Sequence, residues 1–353
     1  MKRNSLLQII TIAVVVTSGG SFASGTPKAS RDWSKHPVVL QVNTNEDVYA
    51  VGDAHADPDR LAVVLARAKI IKEVPKKFTN VKWTAGKAVL VVTGDMIDKW
   101  HHSLDVIALL RALQTSAAAA GGQVIITMGN HEAEFLADPH GDKTEEFGDE
   151  LKEAGLKRND VADCQGDLGR FLCSLPIAAR VNDWFFCHGG NTNGQTIQAL
   201  SDAIETGFAN DGFATPALVG DNSILEARLN DKGPNGLPWF DLGSLSTNPQ
   251  TVLDSYAKAL GVSHIVQGHQ PGAVEFPDGQ KRNKNDLFQR YGLLFLIDTG
   301  MSQGVNGDTS GGGVLHLTGG SNPTAVALCA NGKGKTLWDR QKNPGLEAIH
   351  CDK

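Results

Sequence analysis

The sequence predicts an α/β fold in which short strands and helices alternate along the chain. Three observations carry the prediction. Between residues 47 and 128, three strand-like runs are separated by two segments of helical periodicity, the pattern of a sheet layered with helices. The middle run, residues 88–92, is fully apolar, as a buried strand is. The runs also end alike, at a Gly followed within one to three residues by Asp, Asn or His.

The bulk numbers bound the class. The chain has 353 residues, 41% hydrophobic and 20% charged, ordinary globular composition with room for one large domain or two small ones. A formal net charge of −6 argues against a nucleic-acid binder, which carries a basic excess. It leaves open an anionic substrate, because bound cations invert the local field.

Residues 1–23 are expected to be a signal peptide: Lys2 and Arg3 precede an apolar run, and Ser21-Phe22-Ala23 offers small residues for cleavage. The run is too short to span a bilayer well. The protein is therefore expected to be secreted or periplasmic, with no stable membrane span after cleavage. Residues 24–36 are expected as a flexible lead-in, 37–330 as the folded domain and 331–353 as a C-terminal tail. Export permits disulfides. Of the five cysteines, Cys187 lies in an apolar strand and reads as a buried thiol; Cys164 with Cys173 and Cys329 with Cys351 are the expected pairs.

In order, residues 38–43 and 47–51 read as strands, the second ending at Gly52-Asp53-Ala54-His55. Leu61, Val64, Leu65 and Ala68 mark a helix. Residues 72–87 are polar, with Pro75 and Gly86, and read as a short excursion. The strand at 88–92 ends at Gly94-Asp95-Met96-Ile97-Asp98; Ser103 is the expected N-cap of a helix to about Ala119. The strand from Gln123 ends at Gly129-Asn130-His131-Glu132, and helical segments follow Glu132. Residues 177–181 and 184–187 read as a hairpin running into His188-Gly189-Gly190. Residues 195–208 read as a helix, 213–242 as an irregular stretch, and 248–260 as a helix closed by Gly261. Strands at 264–267, 293–297, 314–317 and 324–328 follow; the first ends at Gly268-His269 and the second at Asp298.

Five strand ends thus carry Asp53 and His55, Asp95, Asn130, His188 and His269. In open α/β sheets, ligands bind at the carboxyl ends of strands. Carboxylates, imidazoles and one amide oxygen suit first-row divalent cations such as Mn, Fe or Zn. Asp95 is central in the order and has two oxygens, so it can bridge two ions. Two ions about 3.5–4 Å apart can hold and acidify a water that attacks phosphorus in line. His131, next to a ligand, is left to protonate the leaving oxygen, with Asp98 to orient it. Each motif alone reads equally well as an ordinary turn; five in one chain do not.

These motifs, Gly52-Asp53-Ala54-His55, Gly94-Asp95-Met96-Ile97-Asp98, Gly129-Asn130-His131-Glu132, His188-Gly189-Gly190 and Gly268-His269, resemble those of the calcineurin-like metallophosphoesterases. Glu132 after His131 makes them most similar to the phosphoprotein phosphatase branch, and the leader points to the exported bacterial Shewanella-like phosphatases. The resemblance covers roughly residues 47–300. It implies a four-layer α-β-β-α sandwich of two mixed sheets flanked by helices, and a dinuclear site. On the family pattern, Asp53, His55 and His269 hold one cation with bridging Asp95; Asn130 and His188 hold the second. The implied reaction is hydrolysis of phosphorylated Ser, Thr or Tyr in proteins or peptides.

The chain departs from the pattern in places. Ala56 stands where Gly is usual, and Asp98-Lys99-Trp100 where Asp-Arg-Gly is usual. Lys99 is then a phosphate contact of looser geometry than Arg, and Trp100 reads either as an aromatic wall or as a side chain that simply packs. Arg228 is the candidate for a second phosphate-binding Arg, with Asn130 also near the phosphate. His101 and His102 are expected to face solvent. Two alternatives stand beside a protein phosphatase: a nucleotide or dinucleoside polyphosphate hydrolase, and a non-catalytic domain binding a phospho-ligand through metal.

Overall fold

The computed structural model describes residues 31–230, 239–240, 248–307, 309–320, 322–342 and 344–353. The expected signal peptide and the lead-in up to residue 30 lie outside the described residues.

The chain opens with β1 (Val39–Val42) and β2 (Val48–Val51), then α1 (Pro58–Arg67). Asp57 caps α1 by accepting the Arg60 N–H at 3.1 Å. β3 (Val89–Val92) leads into α2 (Ser103–Ala119), and β4 (Gln123–Ile126) into α3 (Asn130–Ala137). Ser103 proves to be the first helical residue of α2 rather than its cap. Glu150 does the capping, accepting the N–H groups of Ser103 and Leu104 at 2.9 and 3.1 Å. α3 begins earlier than expected, so Asn130, His131 and Glu132 form its first turn.

Three short helices follow, α4 (Glu145–Glu153), α5 (Arg158–Ala162) and α6 (Gly166–Ser174). Then come the hairpin of β5 (Ala178–Val181) and β6 (Trp184–Cys187), α7 (Ile197–Asp211), α8 (Pro216–Val219), α9 (Pro249–Leu260) and β7 (His264–Gln267). β8 (Val274–Glu275) and β9 (Lys281–Arg282) make a two-stranded ribbon. β10 (Asp286–Arg290), β11 (Leu294–Leu296), α10 (Gln303–Asn306), β12 (Gly313–Leu317), β13 (Thr324–Cys329), β14 (Gly334–Asp339) and β15 (Leu346–His350) complete the fold.

Two mixed sheets result. One runs β1-β5-β6-β7-β11-β10-β15, the other β14-β13-β12-β2-β3-β4. They pack face to face through Val48, Ala50, Val89 and Val91 on one side and Ala179, Val181, Phe186 and Val266 on the other. The alternate residues Val51, Leu90 and Val92 point outward and pack in one core with Leu61 and Leu65 of α1 and Leu110 and Leu113 of α2. Each such side chain, fully buried, contributes about 1.5–3 kcal/mol. The period-2 alternation therefore builds sheet-on-sheet contact and helix-on-sheet contact at once, giving the layered α/β architecture.

The last 23 residues are not a tail. β14 is an edge strand of one sheet and β15 an edge strand of the other. Their half-exposed pattern carries a weak apolar signal, which is why the sequence reads as tail. Cys329, at the end of β13, is disulfide-bonded to Cys351, just after β15, so the bond ties the two sheets together; Cys164 pairs with Cys173 and Cys187 is a buried thiol. The lead-in is likewise anchored from Arg31, which donates to the carbonyls of Cys173 (2.7 Å) and His36 (2.9 Å), while Trp33 packs edge-on against Phe208 at 5.3 Å.

Candidate metal centre

The carboxyl ends of β2, β3 and β4 deliver Asp53 and His55, Asp95, and Asn130 from one sheet. β6 and β7 deliver His188 and His269 from the other. All six are buried. The turns that place them are tight: His55, Ala56, Asp95, Asp98, Lys99 and His269 all have left-handed φ between 36° and 65°. Non-glycine residues in that region are uncommon, and they gather at functional sites. Gly94, at φ +90°, and Gly129 are required by crowding. A Cβ on Gly94 would lie 2.4 Å from the Gly129 nitrogen, and one on Gly129 would lie 2.2 Å from Asp95 Oδ1.

Asp95 is the centre of the constellation. Its Oδ2 lies 3.3 Å from His55 Nε2 and 3.3 Å from His188 Nε2. Two compact donor groups share it: His55, Asp95 and His131, and Asp95, His188 and His269, each with donor atoms within 4.8 Å of one another. Asn130 Oδ1 joins the second group, 2.9 Å from His188 Nε2. The family pattern put His269 with Asp53 and His55; the geometry instead sets His269 Nδ1 3.0 Å from His188 Nε2. The reason is strand order. β6 and β7 are parallel neighbours with Cys187 opposite Gln267, so the residues following them emerge side by side. Asp53 stands outside both compact groups and receives the His269 backbone N–H at 2.9 and 3.1 Å.

The donor set fits divalent cations. Each ligand imidazole spends one ring N–H on a backbone carbonyl: His55 Nδ1 on Ile97 (3.1 Å), His188 Nδ1 on Thr93 (2.7 Å) and His269 Nε2 on Glu226 (2.9 Å). Such partners fix ring tautomer and orientation at metal sites. The nitrogens that remain face Asp95 and one another. Burial opposes charge on His188, but Asp95 and Asp53 outweigh it and push its pKa up to about 10. A proton on His188 thus offsets the carboxylates where a cation would do so. Burial holds His55 down to about 4 and, with His188 beside it, holds His269 well below the usual range, leaving both as neutral ligands. Burial and the charge of Asp298 raise Asp53.

His131 is oriented separately. Its Nδ1 lies 3.1 Å from Asp98 Oδ2, and Asp98 Oδ1 accepts the Phe147 N–H at 2.9 Å. Burial disfavours the imidazolium, but Asp95 and Asp98 together raise its pKa above the ordinary value. His131 also meets His55 edge-on at 5.0 Å.

A cavity of about 940 Å³ opens over the centre, and its walls include Lys99, Arg228, Lys143 and Trp239. Arg228 Nη1 donates to the His269 carbonyl at 3.2 Å. Trp100 does not line the cavity; it leans on exposed His101 at 5.1 Å, and Trp239 supplies the aromatic wall.

Sequence reasoning missed four participants. Glu132, read only as a branch marker, accepts the N–H groups of Gly129 (2.8 Å), Asp95 (3.0 Å), Met96 (2.7 Å) and Ile97 (3.3 Å). Asp298, two residues past β11 and acting on Asp53 through its charge, was read as a strand end but not as part of the site. Glu226, two residues before Arg228, is pushed up to about 7 by burial and its hydrogen bond with Glu134; Lys143 bonds to Glu134. No periodicity marks Glu226 or Lys143.

Residues 47–273 match the family model described as calcineurin-like phosphoesterase. The chain is 26% identical over 290 residues to Shewanella-like protein phosphatase 1 of Plasmodium berghei, covering 79% of this chain and 74% of that one. It is 30% identical over 104 residues to Shewanella-like protein phosphatase 2 of Arabidopsis thaliana, 29% of this chain and 25% of the other. In fold it is similar to a cold-active protein-tyrosine phosphatase of a psychrophilic Shewanella species, with TM-score 0.63, 21% identity and coverage of 87% and 85%. A Saccharomyces cerevisiae protein serine/threonine phosphatase gives TM-score 0.53 at 18% identity, covering 90% and 85%.

Proposed function

Because the chain belongs to the calcineurin-like phosphoesterase family, we propose that it is a phosphomonoester hydrolase acting on phosphorylated Ser, Thr or Tyr in proteins or peptides. The observation that carries the reading is His131, held by Asp98 at 3.1 Å while its ring borders the His55–Asp95 group. A metal-binding domain without turnover has no use for such a residue.

Two divalent cations, held by Asp53, His55, Asp95, Asn130, His188 and His269, supply charge neutralisation and an acidified water nucleophile when bound. The side chains do the rest. Lys99, Arg228 and Asn130 border the cavity and hold the phosphate oxygens. Asp98 fixes the His131 tautomer with the proton on Nδ1. Protonated His131 then gives its Nε2 proton to the leaving oxygen as the phosphorus–oxygen bond breaks. Trp239 offers a face for the residue that carries the phosphate.

The names of the relatives support a phosphoprotein substrate, and the leader of residues 1–23 supports export. The test is phosphate release from a panel of phosphoserine, phosphothreonine and phosphotyrosine peptides, an aryl phosphate and nucleotides, with Mn, Fe or Zn added. Peptide turnover above nucleotide turnover is expected. Metal-loaded protein that turns over none of the panel would sink the reading.

A further inference from the structure

The excursion between α1 and β3 takes no part in the cavity, yet its composition is unlike the rest of the chain. Residues 67–87 carry Arg67 and six lysines against one acid, Glu73, in a chain of net charge −6. All seven cationic residues are exposed. None of them forms an ion pair among the described residues, although pairs are common elsewhere on the surface.

The excursion is a built element. Ile71 and Trp83 bridge antiparallel, the Lys72 N–H reaches the Lys82 carbonyl at 2.9 Å, and the Thr84 N–H reaches that of Ile70 at 2.9 Å. Ile70, Ile71, Val81 and Trp83 are buried beneath it, and the Trp83 N–H donates to Ser116 of α2 at 3.0 Å. The apolar underside therefore fixes a cationic upper face. α2 adds no acid from residue 106 to its end. Within the segment enclosed by that bridge stands Val74, 42% exposed and one of two exposed large hydrophobics among the described residues, preceded in the sequence by Lys72 and followed by Lys76 and Lys77.

We propose that this face docks on an anionic lipid bilayer, with Val74 entering the interface and the lysines lying against headgroup phosphates. Six of the seven cations are Lys, compact point charges without the planar fork that reads a defined carboxylate pattern. That chemistry suits a diffuse anionic surface, and an exposed apolar side chain among lysines adds interfacial burial to charge attraction. The placement fits. Lys87 lies before the start of β3, whereas Asp95, which lines the cavity, lies beyond its other end, so docking leaves the cavity facing away from the membrane.

The experiment is co-sedimentation of the full protein with vesicles of phosphatidylcholine alone or mixed equally with phosphatidylglycerol. Binding to the mixed vesicles only, falling steeply with salt, is expected. Each lysine lost should weaken binding about fivefold, so K72E/K76E/K77E should lose more than about 100-fold. V74S, which removes the apolar side chain without changing charge, should weaken binding while leaving its salt dependence. Turnover of a soluble aryl phosphate should be unchanged in both variants. Equal binding to neutral vesicles, or wild-type binding by the triple variant, would overturn the proposal. So would undiminished binding by V74S together with equally tight binding to polyglutamate, which would assign the face to an acidic polymer.

Discussion

Glu132 accepts the backbone N–H of Asp95 at 3.0 Å, so the residue after the proposed acid holds the residue at the centre of the metal site. The same carboxylate takes the N–H groups of Gly129, Met96 and Ile97, clamping the ends of β3 and β4 together. Glu132→Gln turns an N–H₂ donor toward those N–H donors. A loss of about 1–3 kcal/mol of stability and about 10–100-fold in metal affinity is expected, read by denaturation and metal titration. Unchanged metal affinity would show the clamp to be unimportant.

Crowding at Gly129 gives a sharper steric test. A Cβ there meets Asp95 Oδ1 at 2.2 Å and the Asp95 nitrogen at 2.3 Å, whereas one at Gly272 meets nothing within 4 Å. Gly129→Ala should displace the Asp95 carboxylate from its place between His55 and His188 and reduce turnover at least about 100-fold, a loss typical of misplaced catalytic groups. Gly272→Ala should behave as wild type. A fully active Gly129→Ala would contradict the geometry.

Much of this was legible in the sequence, because an apolar run that halts at Gly and a ligand advertises both a strand and its functional end. Asp53, His55, Asp95, Asn130, His188 and His269 were singled out that way, and the structure buries all six at those strand ends. What the sequence could not supply was spatial neighbourhood. The grouping of His269 with His188 follows from β6 lying beside β7, which no local pattern encodes. Glu132 acts on residues 35 to 37 positions earlier. β10 hid among polar residues, and β14 and β15 were read as tail because edge strands with one exposed face carry little apolar signal.

Removing metal should expose a pH dependence. His188 has a folded pKa of about 10 against 6.5 for a free imidazole. Its proton therefore stabilises the metal-free protein fully below pH 6.5, and that stabilisation is lost as pH rises through about 10. Asp53, raised by burial and Asp298, acts in the same direction. Chelated protein should melt several degrees lower at pH 9 than at pH 6.5, while metal-loaded protein should change much less over that range. A chelated protein whose Tm rises with pH across this window would refute the assignment.

The central claim is that His131, steered by Asp98, is the proton donor of a metallophosphatase. It is tested most directly by kcat of His131→Asn on a phosphopeptide at matched metal content. The account predicts two cations bound in both proteins, KM little changed, and kcat lower by about 10²–10⁴-fold. Unchanged kcat with full metal occupancy would contradict it.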